Sequence, residues 1–84
     1  MLVSVGLVVS LALAPAASSA HDARLQKQAT KLAGETDAAI AHGDYATAIQ
    51  RAEAALDIHE RLNLKAEAAW DLGAVGLANQ YLGR

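Results

Sequence analysis

Cysteine and phenylalanine are absent from this chain, proline occurs once, and only 4% of the 84 residues are aromatic. Without cysteine there are no disulfides, no thiol nucleophile and no thiolate metal site. The single proline is Pro15, so from Ala16 onward only glycine or a polar turn can interrupt a helix. Serine is missing beyond Ser19, which leaves Thr30, Thr36 and Thr47 as the aliphatic hydroxyls of residues 21–84 and excludes a serine triad there. A strong charge of either sign is also missing. The net charge is -2, and the seven Lys and Arg residues form no basic stripe that could displace counterions from a nucleic-acid backbone. Nucleic acid is therefore not an expected partner.

What is present is alanine. It supplies much of the 54% apolar content, and alanine with few aromatics favours closely spaced helices over a sheet core. The first twenty residues carry no ionisable side chain, and an apolar stretch from Leu2 to Ala17 is interrupted only by Ser4, Gly6, Ser10 and Pro15. The stretch is short for a bilayer span, and Ser18-Ser19-Ala20 offers the small-x-small pattern of a signal peptidase site. Residues 1–20 are accordingly expected to be a signal-peptide helix cleaved after Ala20, giving an exported, periplasmic or secreted product that meets a membrane only through this segment. A membrane anchor over residues 2–17 and a buried core helix are the other readings. No Lys or Arg precedes Arg24, which departs from the usual basic start of such a segment.

From His21 the spacing of apolar residues predicts three helices, at about Ala23–Ala41, Tyr45–Leu62 and Lys65–Leu82. The first ends at His42-Gly43-Asp44, where Gly43 can take a left-handed conformation and Asp44 can accept from the free amides of the next helix. The second carries Tyr45, Ala48, Ile49, Ala52, Ala55, Leu56 and Leu62 on one stripe, and its alanines allow a neighbouring helix close approach. Asn63 tolerates a left-handed break before the third, which presents Ala68, Leu72, Val75, Gly76 and Asn79 on one side. Gly43 and Gly83 close similar helices 40 residues apart, a period suited to a repeated helix pair.

These residues resemble the tetratricopeptide repeat family. Gly43-Asp44-Tyr45, Ala48, Ala52 and Ala55-Leu56 match its second-helix pattern, while Leu72, Val75-Gly76 and Leu82-Gly83 match its first-helix pattern. The run from Ala55 to Leu62 is similar to the longer variant found in kinesin light chains and many bacterial repeat proteins. Glu35 and Thr36 stand where the family has Leu-Gly, Ala39 and Asn79 where an aromatic is usual, and Glu60 where proline often closes a unit. The resemblance implies an all-α chain of antiparallel helix pairs from an α-solenoid, one degenerate repeat plus the first helix of the next, over residues 21–84. Gly43, Tyr45, Ala48, Ala52, Ala55, Leu56, Leu72, Gly76 and Gly83 would be its repeat-packing residues. It implies a scaffold for a protein or peptide ligand, with Lys31, Glu35, Asp71 and Asn79 on the groove surface. A regulatory repeat region of a larger enzyme, such as a bacterial caspase-like (CHAT) peptidase protein, is the alternative.

One and a half units expose apolar surface, so the expectation is a truncated product with further repeats or a downstream domain, or else completion against a partner. No chemistry is expected of the chain itself, and neither a cofactor nor a metal. His21, His42 and His59 lack ligand spacing, and His42 reads as turn surface. His59 reads as solvated helix surface, as do the pairs Glu53 with Asp57 and Glu67 with Asp71. Gly73 and Gly76 read as close-packing positions. Trp70 has two readings, burial in a seam between repeats or contact with a ligand.

Overall fold

The computed structural model describes residues 16–84 of the chain, and these form three helices with no strand. Helix α1 spans Ala16–Ala41, α2 spans Tyr45–Arg61 and α3 spans Lys65–Tyr81. Most of the expected signal segment, residues 1–15, lies outside the described residues. Helix α1 starts seven residues before the expected Ala23 and passes through the expected boundary between Ala20 and His21. The reason is local: Ala16, Ala17 and Ala20 favour helix, and nothing between them and Ala23 breaks it.

The helices end alike. Gly43, Asn63 and Gly83, each 20 residues after the last, have φ of 75°, 57° and 77°. In each turn the amide of that residue donates to the carbonyl three positions back, at 3.0, 3.0 and 3.1 Å. The following amide donates to the carbonyl five positions back: Asp44 to Ala39 at 2.8 Å, Leu64 to His59 at 2.8 Å and Arg84 to Asn79 at 2.9 Å. This paired closure satisfies carbonyls that the helix end would otherwise leave free. Asp44 also caps α2, its Oδ1 accepting from the Thr47 amide at 3.3 Å.

The short turns fold the helices back on one another. Helix α2 packs along both α1 and α3, which touch each other only at a few points. Tyr45 at the start of α2 stacks on Tyr81 at the end of α3, with ring centroids 4.8 Å apart and planes 9° from parallel. His59 near the end of α2 meets Asp71 in the first half of α3, so the pair runs antiparallel. The core is almost wholly alanine: Ala29, Ala39, Ala48, Ala52, Ala55, Ala68 and Ala78 are buried, with Ile58 the one larger apolar residue among them. Small side chains bring helix axes together, and Ile40, Tyr45 and Ile49 fill the margin around Ala39, Ala48 and Ala78. The stripe of small residues expected on α2 is therefore in place, with Ala48, Ala52 and Ala55 inside and Tyr45, Ile49 and Leu56 half-buried.

Candidate functional site

Helix α3 has α2 on one side and little else. Its buried residues, Ala68, Asp71 and Ala78, follow a helical stripe toward α2. Among the described residues, the large apolar side chains that remain exposed all lie on α3 or just after it: Trp70 at 71%, Tyr81 at 60%, Leu72 at 56%, Leu77 at 42%, and Leu82. Because α2 holds α1 and α3 apart, a groove of about 380 Å³ opens between them. Asp37 and Ile40 of α1 form one wall, Trp70 and Leu77 of α3 the other, and Ala69, Gly73 and Ala74 line it between. Apart from the Asp37 carboxylate its lining is apolar, which suits an amphipathic or aromatic-bearing segment of another protein.

None of the four residues expected on the groove surface lines this groove. Lys31 is exposed elsewhere, and Asn79 is half-buried beside the last turn. The Glu35 carboxylate lies 3.6 Å from Arg51 Nε, an ion pair across α1 and α2. Asp71 is 3% exposed, a correction to both its groove and its solvated-face readings. Its Oδ2 lies 2.5 Å from Nδ1 of His59, which is itself 5% exposed, so the expected surface histidine is corrected too. The cause is stripe continuity. His59 extends Ala52 and Ala55 at helical spacing and Asp71 extends Ala68, so both polar side chains land in the seam, where each needs a hydrogen-bonding partner. That continuity is the signal by which the sequence could have given the pair. Asp57 does sit on a solvated face, paired with Arg61 at 3.3 Å.

Trp70 is not buried in a seam. Leu72 and Gly76, expected to pack between repeats, are exposed, and a methyl group added at Gly76 or Gly73 would meet no atom within 4 Å. No described helix covers these positions. Gly43 and Gly83 serve the turns rather than any close packing. A second hollow of about 350 Å³ sits beside the α2–α3 turn, with His59, Leu64, Lys65 and Leu72 in its wall. Among the described residues no cluster of His, Asp and Glu could hold a metal ion. The Thr30 and Thr36 hydroxyls donate to the carbonyls of Gln26 and Leu32 on their own helix. The chain matches no protein-family model, curated protein or solved structure with which it was compared.

Proposed function

We propose that this chain is a helical-repeat scaffold of the tetratricopeptide kind that docks another protein in the groove between α1 and α3. The observation that carries this reading is Trp70, 71% exposed on the wall of an apolar groove of about 380 Å³. Leaving an indole in water forgoes most of its favourable transfer free energy, and tryptophans in such positions are common anchors of protein interfaces. Three turns of one geometry at a fixed spacing support the repeat reading. Export belongs to the same proposal and rests on the composition of residues 1–20.

The test is selection of peptides from a displayed random library against the whole chain, followed by binding to W70A and L77E. Peptides that lose affinity by on the order of 30-fold on W70A support a groove anchored at Trp70. A set of binders indifferent to both substitutions rules the groove out as the docking surface. For export, the N-terminal sequence of the secreted protein should begin at His21, and a different first residue would refute the cleavage site.

A further inference from the structure

Glu67, Trp70, Ala74, Leu77, Tyr81 and Arg84 follow one another at alternating spacings of three and four. On a helix this rhythm draws a nearly straight seam, the arrangement by which two helices seat side chains in each other's gaps. The adjacent stripe, Ala68, Asp71, Val75 and Ala78, is the one that α2 covers. It lies about 100° away around the helix, so the outer seam is not a by-product of the core pattern. None of the six is buried, and Trp70, Leu77 and Tyr81 are the large apolar members. Arg84 belongs to the seam although α3 ends at Tyr81. Beyond the left-handed Gly83, the bond of the Arg84 amide to Asn79 keeps the backbone of Arg84 beside the last turn, from which its long side chain can reach the seam.

Read in reverse, the seam is complementary to itself. Arg84 meets Glu67, Tyr81 meets Trp70 and Leu77 meets Ala74, which pairs opposite charges at both ends, ring with ring, and large with small in the middle. A parallel pairing would set Glu67 against Glu67 and Arg84 against Arg84, which repel. An antiparallel pairing has a two-fold axis between residues 75 and 76, so both copies use the same surface.

We infer that the groove between α1 and α3 takes a second copy of this chain, α3 against α3 in antiparallel order. This rests on the reading of the groove as a docking surface and names its partner. Trp70 of one copy stacks on the free face of the other copy's Tyr81, whose first face is held by Tyr45. Leu77 enters beside Gly73 and Ala74, where the groove is lined by small residues. The apolar surface so covered is roughly 500 Å² per copy, or about 1,000 Å² in all, at the lower edge of specific interfaces. An interface of this size belongs with reversible rather than permanent association.

Sedimentation of the whole 84-residue chain over a range of micromolar concentrations should show a monomer–dimer equilibrium. W70A should weaken it by on the order of 30-fold with helical content unchanged, since Trp70 is a surface residue. E67R should weaken it, and E67R/R84E should restore it. The chain has no cysteine of its own, so an oxidised mixture of E67C and R84C chains should yield mainly the mixed dimer. Preferential E67C self-linking overturns the antiparallel order. Association indifferent to W70A and E67R means that another surface, such as the apolar N-terminal segment, carries it, and overturns the inference. A monomer throughout also overturns it, but Trp70-dependent peptide binding would leave the docking surface standing. Loss of both readouts removes the groove as a docking surface altogether.

Discussion

The His59–Asp71 pair is the main polar commitment inside an otherwise aliphatic seam. Taking Asp71 away strands an imidazole that is 5% exposed, so D71A should lower stability by about 3 kcal/mol in urea unfolding followed by circular dichroism. H59L/D71L removes both partners and should recover most of that loss, because a buried pair replaced by apolar groups is often near neutral. An additive double mutant would show that the two side chains do not act on each other. A second residue-scale expectation concerns Asn63, the one non-glycine with positive φ among the described residues. N63G should stabilise by a few tenths of a kcal/mol, whereas G43A should cost about 1 kcal/mol. The sequence showed these turn residues plainly, since glycine or asparagine after an amphipathic helix has few other uses. It hid the buried pair, because a histidine and an aspartate twelve residues apart look like surface until the two alanine stripes are extended through them.

At the scale of elements, alanine sets the spacing of the helices. Ala48 is fully buried where α2 approaches both neighbours, and A48L should cost about 1–3 kcal/mol by forcing the helices apart. A substitution of the same size at Ala46, which is exposed, should have little effect, and comparing the two melts separates packing from helix propensity. The number of helices, their order and the α2 stripe were legible because a period of 3.6 residues and a glycine stop leave few alternatives. The start of α1 was not, since alanine-rich sequence favours helix on either side of Ala20. The lining of the hollow between α1 and α3 was not legible for a geometric reason. Which side of α3 looks toward α1 depends on how α2 tilts both helices, and a one-helix pattern does not encode that tilt. The resemblance put Lys31 and Glu35 on the groove surface, while the wall of this hollow is built from Asp37, Ile40, Trp70 and Leu77.

For the whole molecule, an alanine core gives little apolar burial per residue, so the folded state should lean on whatever covers the outer side of α3. The melting temperature of the chain should therefore rise by a few degrees for a tenfold increase in concentration, and W70A should abolish that dependence. A melt that superimposes at all concentrations would show that three helices suffice alone. The identical closures at Gly43, Asn63 and Gly83 carry one more implication, which concerns parity. Each block of twenty residues reverses the heading of the backbone, so excising residues 44–63 would join α1 directly to α3 and leave α3 pointing the way α2 now does. Everything joined beyond it would be inverted as well. An even number of blocks can be gained or lost without turning the remainder around, so duplication in this architecture conserves orientation only in steps of two.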